Sequence, residues 1–187
     1  MSIATQMTLD DYGRLTAAGA FEQGLRRRVE LIDGEVREMS PTKPPHQMLV
    51  TLLTEWSFEN RPAEKPHVWI QSSFWIRQLE SAPQPDVAWL VRKDYGSEQP
   101  SPQDVLLLIE VADSSLAYDC GEKANLYASA GIADYWVVNI PDKCVEVFRE
   151  PVNGTYHSRQ VFKTGAEVHP LLDSEISLPV KLLFPAI

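Results

Sequence analysis

The run Leu106-Leu107-Leu108-Ile109-Glu110-Val111 constrains this chain more than any other feature. Together with Val105 it is nearly all aliphatic, which suits a strand buried on both faces. Residues 119–130 then read as a helix ended by Gly131. Asp134-Tyr135-Trp136-Val137-Val138-Asn139 follows as another buried strand. A strand, a helix and a strand in that order predict a parallel pair joined by a right-handed crossover.

The remaining elements are arranged around that unit. Thr8 precedes Leu9-Asp10-Asp11 as a helix N-cap with an acidic residue three positions on, and the helix is expected to end near Gly19. Asp33-Gly34 sits between two alternating runs, the signal of a β-hairpin. Residues 46–60 carry Leu49, Leu52, Leu53 and Trp56 at helical spacing. Residues 68–76 and 87–91 read as strands, and residues 144–149, 156–162 and the stretch after 167 read as a meander with a short apolar tail. Short Pro/Ser-rich stretches at 40–45, 81–85 and 96–102 are loops rather than domain boundaries. The expected architecture is a mixed α/β fold. A mixed central sheet is flanked by helices, with an N-terminal hairpin and a C-terminal β-meander, all within one domain over residues 1–187.

Composition narrows the function classes. At 187 residues the chain has the length of one domain with a sizeable core. A net charge of −9 argues against sequence-blind adhesion to nucleic acid and is compatible with clustered carboxylates that await a cation, or simply with solubility. Cys120 and Cys144 form no CxxC pair and no disulfide framework, and the four histidines are scattered, so a zinc site is not expected. No apolar run is long enough for a membrane span, and residues 1–6 lack the pattern of a signal peptide. A cytoplasmic protein is the expectation.

Two acidic residues stand out. Asp86 follows Pro85 at the mouth of a short strand, and Glu110 interrupts the aliphatic strand. A carboxylate buried in such a run needs a basic partner, a cation or water. If the strands are neighbours, the two acids converge on one point. Two carboxylates, a backbone carbonyl (here that of Val111) and waters are ligands that Mg²⁺ prefers. Lys123, in the first turns of the following helix, is placed to aim back at both. Each residue also has a plainer reading. Asp86 can be a turn residue, Glu110 a solvent-facing strand end, and Lys123 an exposed partner of Asp119 at i, i+4. Asp119 reads as the helix cap, with Glu122 completing a capping box. Glu30 can pair with the Arg26-Arg27-Arg28 run, and His46 can be an ordinary first-turn helix residue. Tyr127 and Trp136 sit where core aromatics belong. Gln71 carries too weak a signal to place it.

Pro85-Asp86, Ile109-Glu110-Val111, Asp119-x-x-x-Lys123-x-x-x-Tyr127 and Asp134-Tyr135-Trp136 together resemble the Uma2 (DUF820) family. So do the hairpin Val29-Glu30-Leu31-Ile32-Asp33-Gly34-Glu35 and His46. That family belongs to the PD-(D/E)XK superfamily of Mg²⁺-dependent nucleases. The resemblance implies a restriction-endonuclease-like αβββαβ core. It also implies metal binding by Asp86 and Glu110, a catalytic Lys123, and Glu30 as an outer acid. Many superfamily members place the lysine two residues after the second acid, where this chain has Ala112. The expectation is therefore a Mg²⁺-dependent endonuclease, with Mn²⁺ able to substitute. It acts on nucleic acid, DNA rather than RNA, as a homodimer that does not engage membranes. The alternatives are a catalytically inactive nuclease-fold module for binding or regulation, and a hydrolase of small phosphate esters.

Overall fold

The protein is described by a computed structural model over residues 6–21 and 28–185. Helix α1 (Leu9–Ala17) begins as the sequence predicts, with the Thr8 hydroxyl accepting the Asp11 amide at 3.2 Å. Strands β1 (Val29–Ile32) and β2 (Glu35–Glu38) form the expected antiparallel hairpin. Asp33 and Gly34 take φ of 50° and 76°, the paired positive values that a tight hairpin turn needs.

Helix α2 (Pro44–Asn60) starts two residues earlier than the periodicity suggested, because prolines fit the first turn, where their missing N–H costs nothing. Next come β3 (His67–Ile70), β4 (Val87–Leu90) and β5 (Val105–Ala112). The crossover carries α3 (Leu116–Asp119) and α4 (Glu122–Ser129) to β6 (Asp134–Asn139), and β7 (Cys144–Val152) and β8 (Thr155–Lys163) complete the sheet. These six strands lie side by side in chain order. The β5–β6 pair is parallel, as the crossover argument required, and every other neighbouring pair is antiparallel. A small antiparallel pair, β9 (Glu167–Val168) with β10 (Leu178–Pro179), leads into α5 (Val180–Leu183).

Side-chain alternation along β5 divides the core into two layers. Leu107, Ile109 and Val111 face α2 and α5, where Trp56 stacks on Trp89 with ring centroids 5.3 Å apart. Leu108 and Ala112 face α4, among Tyr127, Tyr135 and Phe148. The parity of position 110 therefore sends its carboxylate into the α4 layer.

Two expectations are corrected. Residues 68–76 do not make one strand. The chain leaves the sheet at Gln71, whose φ is 45° and whose amide closes onto the Asp86 carbonyl at 3.1 Å. The rest of that run bends into a bridge between Ile76 and Ser81 around a 3-10 turn at Arg77–Leu79. Its alternation reported burial, since Phe74 and Ile76 are wholly covered in the α4 layer. Residues 119–130 are likewise not one helix. Gly121 separates α3 from α4, with its backbone pressed so close to the Ala117 carbonyl that a Cβ would meet that oxygen at 2.7 Å. Asp119 thus closes α3 and is buried, and the residue preceding α4 is Gly121, which has no capping side chain. Among the described residues, no helix is long and apolar enough to cross a membrane.

Candidate active site

The register Val87↔Ile109 between β4 and β5 brings the residue before β4 next to Glu110. The Asp86 amide donates to Glu110 Oε2 at 3.3 Å, and the Val111 amide donates to Asp86 Oδ2 at 2.9 Å. Both acids are about 95% buried. Three elements hold Asp86. Gln71 Nε2 donates to Oδ1 at 3.0 Å, the Val111 amide holds Oδ2, and His46 Nε2 from the first turn of α2 lies 3.1 Å from Oδ2.

Glu110 Oε1 accepts the Tyr127 hydroxyl at 2.8 Å and lies 2.9 Å from Lys123 Nζ. Both partners come from α4 and stand one helical turn apart, as i, i+4 residues do. Lys123 Nζ also lies 3.4 Å from Glu30 Oε2 on β1, so one ammonium braces acids on two separate sheets. Tyr118 from α3 donates to Glu30 Oε1 at 3.2 Å.

These contacts split the two central acids electrostatically. Burial tends to raise the Asp86 carboxyl, but His46, Gln71 and the Val111 amide outweigh it and hold it below its ordinary value. Burial pushes the Glu110 carboxyl up to about 8, against the pull of Lys123 and reinforced by Asp86 and Asp119. Burial also works to lower the Lys123 ammonium, and Glu110, Glu30 and Asp119 overcome it, so it stays charged. The site therefore offers one firmly ionised carboxylate and one that lacks enough positive charge around it.

Of these groups, Glu30, His46, Asp86, Glu110, Tyr118 and Lys123 line a cleft of about 390 Å³, together with Arg28, Arg37, residues 38–43, Asp113 and residues 114–115. Val111 and Asp119 belong to its wall. His46 Nδ1 is buried there without a hydrogen-bond partner.

Asp86, Glu110, Lys123 and Glu30 are thus brought together as the sequence predicted. Lys123 does not spend its charge in an exposed pair with Asp119, and Glu30 turns to Lys123 and Tyr118. Of the arginine run proposed as Glu30's other partner, Arg26 and Arg27 lie outside the described residues. His46 is both a first-turn helix residue and a neighbour of Asp86. Tyr127 packs in the core as expected and also donates to Glu110. Gln71 does reach Asp86. Tyr118 was not foreseen: it lies just before the run that reads as a helix, and its place beside Glu30 follows from the break between α3 and α4 at Gly121.

The donor set has the chemistry of a hard-cation site. It offers carboxylate oxygens from adjacent strands, and one of them is starved of positive charge. Among the described residues no three His, Cys, Asp or Glu side chains are arranged to enclose an ion by themselves. A hard ion here would keep waters, as Mg²⁺ commonly does.

Comparison with known proteins gives a consistent picture. The family model for Uma2, described as "Putative restriction endonuclease", matches residues 9–181. A solved structure from Anabaena variabilis, titled as a putative nuclease belonging to DUF820, superimposes with a TM-score of 0.72 at 16% identity. The match covers 95% of this chain and 97% of that one, and shows that the two share a fold. A search of curated proteins finds no match.

Proposed function

The chain belongs to the Uma2 family, and we propose that it is a divalent-metal-dependent nuclease that hydrolyses phosphodiester bonds at the Asp86–Glu110 cleft. The observation that carries this reading is the convergence of Asp86 and Glu110 from adjacent strands, with Lys123 aimed at Glu110 from α4. The family description, a restriction endonuclease, favours DNA over RNA as the polymer.

Asp86 and Glu110, with the Val111 carbonyl, are the residues that would hold Mg²⁺ or Mn²⁺. Bound there, such an ion polarises a phosphate and acidifies water. The protein's own groups do the rest. His46, Gln71 and the Val111 amide lock the Asp86 carboxylate in one orientation and keep it ionised. Tyr127 fixes one oxygen of Glu110. The Lys123 ammonium, buried and charged, is placed to stabilise negative charge as the phosphorus–oxygen bond breaks. Lys123 stands in for the lysine absent at Ala112, whose own position on β5 is fully covered. Glu30 and Tyr118 hold that ammonium in place from the other side.

A second reading has one specific observation behind it. Glu110 is already satisfied by Lys123, Tyr127 and the Asp86 amide, so the cluster is also chemically coherent as a structural lock in a nuclease-fold binding module. Thermal unfolding with and without Mg²⁺ and Mn²⁺, alongside DNA cleavage assays, separates the two. The nuclease reading expects a metal-dependent rise in midpoint and cleavage abolished by chelator, both lost in Asp86→Ala. Cleavage that persists in that variant without metal overturns the mechanism. A wild type with neither a metal response nor cleavage establishes the lock.

A further inference from the structure

Among the described residues, four lysine and arginine side chains line the cleft, and three of them are neutralised within the protein. Lys123 serves Glu110 and Glu30, Arg37 serves Glu122 and Glu35, and Lys43 serves Asp113 at 2.8 Å. Arg28 has no ion pair among the described residues, and its Nη2 is buried with no hydrogen-bond partner. A guanidinium nitrogen shut away from water with its N–H groups unmet is costly, and native structures rarely leave one without a reason.

The backbone makes this arrangement deliberate. The Arg28 carbonyl accepts the Met39 amide at 2.8 Å, and the neighbouring Val29 pairs with Glu38, so the root of the side chain is fixed by the hairpin. Arg28 is two residues before Glu30, and alternation along an extended chain sends both side chains to the same side. Glu30 faces Lys123 and Tyr118 at the acid cluster. Arg28 therefore enters the same cleft as a positive group beside the carboxylates, where a cation and an anion can be held next to each other.

From this geometry we infer that Arg28 is a phosphate-binding residue: its half-buried guanidinium turns the covered, unpartnered Nη2 out to non-bridging oxygens of a nucleic-acid phosphate at the edge of the Asp86–Glu110 cluster. The planar fork of a guanidinium matches two phosphate oxygens at once, which an ammonium does not. This explains how a chain of net charge −9 holds a polyanion in a cleft dominated by acids. The attraction is local and directional, supplied by one arginine that no carboxylate among the described residues has claimed. The inference rests on the nuclease reading and names a positioning residue for the same site.

The test is equilibrium binding of a short single-stranded DNA in Ca²⁺, to wild type, Arg28→Ala and Arg28→Lys, across a salt series. Each variant's thermal midpoint with and without Mn²⁺ is measured in parallel, so that folding and the metal response are read separately from DNA affinity. The inference expects Arg28→Ala to weaken binding about tenfold or more. It also expects the salt dependence to become shallower by roughly the slope of one phosphate contact, about 0.7 for a single strand. Arg28→Lys should restore that slope but only part of the affinity, because it keeps the charge and loses the fork. The Mn²⁺ response should persist in both. Equal affinity and equal slope in wild type and Arg28→Ala overturn the inference, and so does a wild type that binds no DNA. In either case an intact Mn²⁺ response leaves the metal site standing. Loss of that response in the wild type counts against the nuclease reading instead.

Discussion

The sheet buries two kinds of acid. Asp134 on β6 receives Trp136 Nε1 at 2.9 Å, Arg149 Nε at 2.8 Å and the Leu171 amide at 2.8 Å. Glu146 on β7 receives the Arg159 guanidinium and Asn139 Nδ2. Each is surrounded by donors: Asp134 ties the segment at Leu171 to the sheet, and Glu146 ties β7 to its neighbours β6 and β8. Asp86, Glu110, Glu30 and Asp119 are buried to a similar degree but share one lysine and one histidine among them. There Glu110 is pushed up to about 8, and polar atoms of His46 and Arg28 are left unmet. Burial alone therefore does not mark a functional acid. What sets the acids of the proposed site apart is a local charge balance that the protein leaves incomplete.

The largest expected effect breaks that comparison from the structural side. Asp134→Ala strands three donors and leaves the Arg149 guanidinium without its acid. Removing one partner of such a pair costs about 3 kcal/mol or more. For a chain of this size that lowers the unfolding midpoint by roughly 6 °C or more. The Mn²⁺ response of the surviving folded protein should stay intact. Asp86→Ala should show the reverse pattern, a modest loss of metal-free stability and complete loss of the metal response. If Asp134→Ala abolishes the metal response as well, at temperatures where it is folded, the two clusters are not separate.

Next in size is Gly121→Ala. A methyl group there meets the Ala117 carbonyl at 2.7 Å, and relieving the clash moves α3 against α4. Overpacking of this kind costs about 1–3 kcal/mol. Because α4 carries Lys123 and Tyr127, the metal-dependent rise in midpoint should shrink along with stability. A variant that loses stability while keeping the full metal response shows that the break at Gly121 does not position Lys123.

A smaller effect is expected from pH. The Glu110 carboxyl, pushed up to about 8 from an ordinary value near 4.5, holds its proton through the neutral range when no metal is present. Its stabilising contribution to the metal-free fold is full below about 4.5 and is lost as pH rises through about 8. A cation must displace that proton. The apparent metal affinity should therefore increase with pH, by up to about tenfold per unit below 8, and level off above it. The Mn²⁺-induced shift in midpoint measured from pH 6 to pH 9 checks this. A flat profile removes Glu110 from the ligand set.

What the sequence made legible follows the same division. Asp86 after Pro85 and Glu110 inside an aliphatic run were visible because each violates a local pattern. Lys123 was visible because a crossover helix has to pack back on the sheet. The residues that hold these groups violate nothing locally. Tyr127 satisfies the helical apolar pattern while its hydroxyl reaches across to β5. Tyr118 owes its role to the turn at Gly121, and that turn is set by a backbone contact no periodicity reports. Arg28 sits in a run of three arginines and is distinguished only by the partners it lacks. Gln71 lies in an alternating stretch that reads as continuous strand, and the chain departs there because Phe74 and Ile76 find their burial in the α4 layer instead.

The smallest effect sharpens the comparison at Gln71 itself. Gln71 and Lys65 both occupy left-handed backbone, with φ of 45° and 49°. Glycine adopts that conformation without the Cβ penalty of about 1 kcal/mol. At exposed Lys65, whose side chain makes no hydrogen bond or ion pair among the described residues, Lys65→Gly should raise the midpoint by a few degrees at most. Gln71→Gly gains the same relief and gives up the 3.0 Å hydrogen bond that steadies Asp86, a loss of similar size. Its midpoint should stay within about 2 °C of wild type, while cleavage and metal affinity both fall, since one oxygen of Asp86 is then free to turn. Strain at Gln71 is thus retained for the site and not for the fold. If Gln71→Gly is as stabilising as Lys65→Gly and keeps full metal affinity, the Val111 amide and His46 alone suffice to orient Asp86.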